Sequence, residues 1–115
     1  MDLAIDCYGL TKHFPKDERY GLTTQLRRSA VSVPSNIAEG RGRRGIGGFL
    51  YHLSVANGSL MELETQLLIG IRLRYIDQRA AETILKQLAH VRQLLAGLIR
   101  ALDLKSRPRR VADTG

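Results

Sequence analysis

From Tyr20 to Glu39 the apolar residues Leu22, Leu26, Ala30, Val33 and Ile37 recur every three or four positions. That spacing puts them on one face of an α-helix. Three other stretches share the period. Leu3, Cys7 and Leu10 mark a helix from about Asp2 to His13. Phe49, Leu53, Ala56, Leu60, Leu63 and Leu67 form the main stripe of a helix reaching about Arg72, and Leu50, Leu68 and Ile71 widen it. Ile84, Leu88, Val91, Leu95, Leu98 and Leu102 step alternately by four and three along a helix from about Gln78 to Leu104, a heptad seam flanked by Leu85, Leu94 and Ile99. No segment alternates with the two-residue period of a strand.

The punctuation between these runs agrees with them. Pro15 follows the first helix, where it cannot continue it. Lys16-Asp17-Glu18 then begins the second, with acids at the positive end of its dipole. Pro34 lies inside that helix. Its nitrogen has no hydrogen to give the carbonyl of Ala30, so a kink is expected, with Ser29, Ser32, Ser35 and Asn36 placed to bond freed backbone groups. GRGRRGIGG, residues 40–48, holds five glycines and reads as the break before the third helix. Gly58 and Ser59, nearly without side chains, invite close approach of another helix. Arg74 to Asp77 is a short link. Four amphipathic helices with short links predict an all-α, antiparallel up-down four-helix bundle over residues 1–104. Residues 105–115, KSRPRRVADTG, read as a basic, disordered tail. The stripes on the third and fourth helices are wider than one bundle covers, which points to self-association.

Composition narrows the choices. At 115 residues the chain is one domain, and its 43% hydrophobic content suffices for a core. Aromatics are only 5% with no tryptophan, so the core is mostly aliphatic. A single Cys7 excludes an internal disulfide and a cysteine zinc site. With no signal peptide evident, it suggests a cytoplasmic protein. No apolar run is long enough to span a membrane. The net charge of +7 is uneven: residues 1–40 balance five basic against five acidic side chains, whereas residues 79–115 carry eight against three. Such a surface favours polyanions; it also keeps a protein soluble.

The glycine-rich break contains a literal G-x-G-x-x-G at Gly40, Gly42 and Gly45. A dinucleotide fingerprint must follow a strand, and this one follows a helix. Nor is it a P-loop, since Ile46 stands where lysine is needed. A helix cap and flexible turn is the plain reading. Arg41, Arg43 and Arg44 add a second one: three guanidiniums in four residues repel one another unless solvated or facing anions, and each can grip phosphate through two hydrogen bonds. Arg107, Arg109 and Arg110 in the tail extend the nonspecific attraction. Arg27 and Arg28 suit salt bridges to Glu18, Asp17 or a neighbouring subunit. Glu62 and Glu64 suit ion pairs between helices or subunits. A di-iron bundle needs Glu-x-x-His repeats, which are missing. His13, His52 and His90 lie on separate helices without ligand spacing, so no metal or cofactor is expected. No nucleophile–base arrangement can be assembled, so no enzyme is expected. Tyr8, Tyr20, Tyr51 and Tyr75 are scattered and suit packing or interface roles.

One resemblance covers about Leu3 to Leu104. Phe14-Pro15, Tyr20-Gly21-Leu22, Gln25-Leu26-Arg27-Arg28, Pro34-Ser35-Asn36-Ile37-Ala38-Glu39-Gly40 and Gly58-Ser59-Leu60 stand in order as in the bacterial four-helix-bundle family first noticed in intervening sequences of 23S ribosomal RNA genes. The chain resembles that family. The resemblance implies a ring-shaped homopentamer of bundles, without a settled activity. Relatives include accessory proteins of retroelement reverse transcriptases, which bind nucleic acid. Members usually have a longer first helix, so Met1 falls inside it: either the helix is naturally short or a start lies upstream. In a ring the arginine turn repeats by symmetry, multiplying a weak contact.

Two functions follow as expectations. One is a non-catalytic, oligomeric nucleic-acid-binding protein that prefers structured RNA to DNA, through Arg41, Arg43, Arg44, the basic fourth helix and the tail. The other is an oligomeric scaffold or accessory subunit for a protein such as a reverse transcriptase. Membrane binding is not expected, because the apolar faces are needed for the core.

Overall fold

A computed structural model describes residues 2–107. Among these are four α-helices and no strand: α1 Asp2–Thr11, α2 Leu22–Arg41, α3 Ile46–Arg72 and α4 Gln78–Ser106. Each helix packs on the next, and α4 closes back onto α1; no diagonal pair brings its backbones into close approach among the described residues. The direction is antiparallel. Ser32 of α2 meets Ser59 of α3, while Asn36, one turn further along α2, meets His52, two turns back along α3. The bundle expected from periodicity is the one observed.

The core is the set of stripes read from sequence. Leu26, Leu53, Leu63 and Leu67 are fully buried, and Leu60, Ile84, Leu88 and Leu95 nearly so. Val91, Leu98 and Leu102 complete the α4 seam from its edge. Burying each of these leucines contributes about 2 kcal/mol. The flanking residues expected to widen the stripes divide: Leu50, Ile71, Leu85 and Ile99 are half-buried, whereas Leu68 and Leu94 are exposed.

The ends differ from expectation in four places. α1 stops at Thr11, two residues early. Thr11 folds its hydroxyl back to the carbonyl of Cys7 at 2.9 Å, and the amides of His13 and Phe14 then bond carbonyls three residues back. Lys16–Glu18 is an isolated 3-10 turn rather than the start of α2. Gly21, at φ −113° and ψ −112°, separates the two. Glu18 still serves the α2 N-terminus, because its Oε1 accepts from the amide of Leu22 at 3.3 Å. The glycine break is shorter than expected: Gly40 and Arg41 close α2, and Ile46–Gly48 already belong to α3. α4 runs through Ser106, so Lys105 and Ser106 are helical rather than tail. α2 also continues unbroken through Pro34. One lost ladder bond does not end a helix that packs on both α1 and α3. Asn36 bonds the carbonyl of Ser32 at 2.9 Å, and no side chain reaches that of Ala30 among the described residues.

The two connections at one end of the bundle are locked together. Phe14 stacks on Tyr75 at 5.3 Å, and the Tyr75 hydroxyl donates to Glu18 Oε2 at 3.0 Å. That bond to a carboxylate pushes the Tyr75 pKa up. Gly70 makes room for the lock: a Cβ there would meet Ile76 at 3.1 Å and Phe14 at 3.2 Å.

Candidate nucleic-acid interface

At the opposite end, Gly42 to Gly45 join α2 to α3. Gly40 is the reason the helices meet closely here. It is buried, and a Cβ on it would lie 2.9 Å from the Phe49 ring and 3.0 Å from His52 Cβ. The glycine was expected to be a turn former; it is a contact point inside α2. Beside it runs a polar chain. The His52 Nδ1 pairs with Asn36 Oδ1 at 3.1 Å, Asn36 Nδ2 donates to Ser32 Oγ at 3.0 Å, and Ser32 Oγ shares a hydrogen with Ser59 Oγ at 2.7 Å. These bonds fix the α2–α3 register. Gly58 is different: no atom lies within 4 Å of where its Cβ would be, so it meets no helix of its own chain.

Arg41, Arg43 and Arg44 are all exposed at this end. They are not equivalent. Arg43 pairs with Glu39 at 3.0 Å, one turn back, and its stem crosses Gly48, where a Cβ would meet Arg43 Cβ at 3.0 Å. Arg41 and Arg44 form no ion pair among the described residues. The first turn of α3 adds amide donors: Gly45 precedes it without a side-chain cap, and no acid lies in that turn. By contrast, Asp77 caps α4, accepting from Ala80 at 2.8 Å.

The basic end of α4 comes down to the same level. Arg92 on α4 pairs with Glu64 on α3 at 3.2 Å, the interhelical pair expected for that glutamate. From that level, α3 runs back about 27 Å to Ile46, and α4 runs on about 21 Å to Ser106. Lys105 therefore comes toward the level of the arginine turn, whereas Arg100 stops about 15 Å short of it; both are exposed. Arg107 comes toward that level too, but it pairs with Asp103 at 3.3 Å. Both exposed i,i+4 pairs contribute only a few tenths of a kcal/mol, so either arginine can exchange its carboxylate for a phosphate. Arg109 and Arg110 lie outside the described residues. Among the six candidates the structure thus gathers four at one end.

Other sequence expectations resolve differently. Arg27 does not bridge Glu18 or Asp17 in this chain. It donates through Nε to the Thr11 hydroxyl at 2.7 Å and lies 4.6 Å over the Tyr8 ring, closing the α1 C-terminus. Arg28 and Glu62 are exposed and unpaired among the described residues. No cluster of three metal-ligating side chains occurs among them. No described helix is long and apolar enough to cross a membrane. Sequence reasoning passed over His52 and Asn36 as partners. Tyr51, expected to serve packing or an interface, is exposed; its place two residues from both Phe49 and Leu53, opposite their stripe, was a readable sign of that.

Comparison with known proteins agrees with this architecture. The profile of the family described as 23S rRNA-intervening sequence protein matches residues 1–97. The chain belongs to that family. A crystal structure of a protein with unknown function from the S23 ribosomal protein family of Bacteroides thetaiotaomicron is similar in fold, with a TM-score of 0.79. It is 25% identical, and the match covers 85% of this chain and 92% of that one. No curated protein matches.

Proposed function

We propose that this member of the 23S rRNA-intervening sequence protein family is a non-catalytic, oligomeric, cytoplasmic protein that binds structured RNA. The observation that carries the reading is the gathering of exposed Arg41, Arg43 and Arg44 at one end of the bundle with Lys105 of α4 directed toward it, where Glu39 and Asp103 are already paired. Guanidiniums there neutralise phosphates, and each neutralised phosphate releases condensed counterions. Amides of the uncapped α3 start can add donors once the arginines hold an anion. RNA is favoured over DNA on the family description alone. Self-association, as a ring of five on the earlier resemblance, repeats the site and turns modest contacts into avid ones. Exposed Ile5, Met61 and Leu94, each more than 60% accessible, support a buried surface between copies.

Salt dependence of binding to a fluorescent structured RNA and a matched duplex DNA tests this. The expected slope of log K against log salt is about −3 or steeper. Arg41→Gln, Arg43→Gln and Arg44→Gln combined keep the helical fold and lose affinity. Unchanged affinity in that variant removes the turn from the interface. No binding at low salt removes the RNA reading altogether.

An accessory role toward a protein such as a reverse transcriptase is the second reading. It draws on an apolar groove of about 460 Å³ between α1 and α2, lined by Ile5, Tyr8, Val31 and Pro34. Under it, a partner polymerase stays bound after nuclease treatment.

A further inference from the structure

The four tyrosines divide into two pairs. Tyr8 lies beneath Arg27, and Tyr75 is held by Phe14 and Glu18. Tyr20 and Tyr51 stand free, 88% and 65% exposed. Tyr51 belongs to the arginine end, being five residues, or about 7.5 Å of helix rise, beyond Ile46. The ring leaves Gly47, one turn back, uncovered: a Cβ there would have nothing within 4 Å. The ring is also held in place. His52 meets it edge to face at 5.1 Å and 82°, and His52 is itself tied to Asn36. An exposed aromatic ring, met from one side by His52 and standing at the end of the bundle that carries three exposed arginines, is suited to receive a nucleobase.

Resting on the RNA reading above, we propose that Tyr51 stacks on an unpaired base of the bound RNA while Arg41 and Arg44 hold the phosphates beside it. The ligand is then an RNA with a loop, bulge or frayed end near the contacted backbone, not a continuous duplex, whose bases are shielded from a side-on ring. The competing use of Tyr51 is in a protein contact along the outer face of α3, with Val55, Ile69 and Leu73. That face is interrupted for more than two turns by Gly58, Glu62 and Thr65. It also gives no account of the exposed arginines at the same end of the bundle.

The test measures binding of a hairpin RNA with an unpaired loop and of a blunt duplex of equal phosphate count, at low salt. Wild type, Tyr51→Ala and Tyr51→Phe are compared, with circular dichroism and sedimentation as controls. The expected results are tighter binding of the hairpin by wild type and about 5- to 100-fold weaker hairpin binding by Tyr51→Ala. Duplex binding is unchanged in both variants, and Tyr51→Phe keeps the hairpin affinity within about twofold. Equal hairpin affinity for wild type and Tyr51→Ala overturns the stacking role and leaves the RNA reading intact. So does an equal loss on both RNAs, or a loss that tracks dissociation of an oligomer. Failure of wild type to bind either RNA removes both proposals.

Discussion

Glycines in this chain show how a residue's role depends on its surroundings. Gly40 and Gly58 both sit inside helices, where alanine is intrinsically favoured by about 1 kcal/mol. At Gly40 the added methyl meets Phe49 and His52 at 3.0 Å or less. Overpacking of that kind costs about 1–3 kcal/mol, so Gly40→Ala should be destabilising on balance. At Gly58 the methyl meets nothing, and Gly58→Ala should stabilise the monomer by up to about 1 kcal/mol. Urea unfolding of the two variants checks the opposite signs. Cys7 is a second case. Its side chain is fully buried, and burial, aided by Asp6, pushes the thiol pKa up from 9.0 to about 12. Below pH 9 the thiol is protonated in both folded and unfolded chains. Between pH 9 and about 12 only the unfolded chain ionises there, so stability falls with rising pH by up to about 1.4 kcal/mol per unit. Alkaline unfolding curves of wild type and Cys7→Ala should differ in slope across that window. At neutral pH the folded protein should resist alkylation until it is unfolded.

At the level of elements, the α3 C-terminus carries a residue out of keeping with its position. The amide of Tyr75 bonds the carbonyl of Gly70 at 2.9 Å, and that of Arg74 bonds Ile71 at 3.0 Å. This is the Schellman arrangement, which wants glycine where the chain turns left-handed. Arg74 holds that place at φ 64°. Arg74→Gly should therefore stabilise the fold by about 0.5–1 kcal/mol and raise the thermal midpoint by a few degrees. Differential scanning calorimetry checks the direction. The same hinge between local and tertiary control explains the misplaced helix ends. The strings around Gly40 and Gly47 look like turn on local preference, but the packing of Phe49 onto α2 extends both helices inward. Helix existence, type and core face were readable from the 3.6-residue period; the ends were not, because single hydrogen bonds such as Thr11 to Cys7 set them.

For the whole molecule, the prediction concerns unequal arginines. Both Arg43 and Arg107 already hold carboxylates, whereas Arg41 and Arg44 do not. The double variant Arg41→Gln, Arg44→Gln should lose more RNA affinity and more of the salt slope than Arg43→Gln alone, by about one unit of slope per lost phosphate contact. Saturating structured RNA should also raise the thermal midpoint, and high salt should abolish the rise. A midpoint indifferent to RNA would count against the arginine end as an interface. The candidate site itself was half legible. Its arginines stood out as a cluster in sequence, but the approach of Lys105 needed the lengths and directions of α3 and α4.

By itself the sequence determined that there are four helices, which face of each is buried, and that the charge gathers toward the C-terminal third. These follow from periodicity and composition, properties of neighbouring residues that need no knowledge of the rest of the chain. The tertiary structure alone decided that Arg27 serves α1 rather than an acid, that Gly40 is a contact and not a turn, and that Asn36 reaches His52. It also separated the tyrosines that pack from Tyr51, which stands open at the arginine end of the bundle. Those outcomes depend on which atoms the crossing of two helices brings within a few ångströms, and residues sixteen positions apart meet only once the bundle closes.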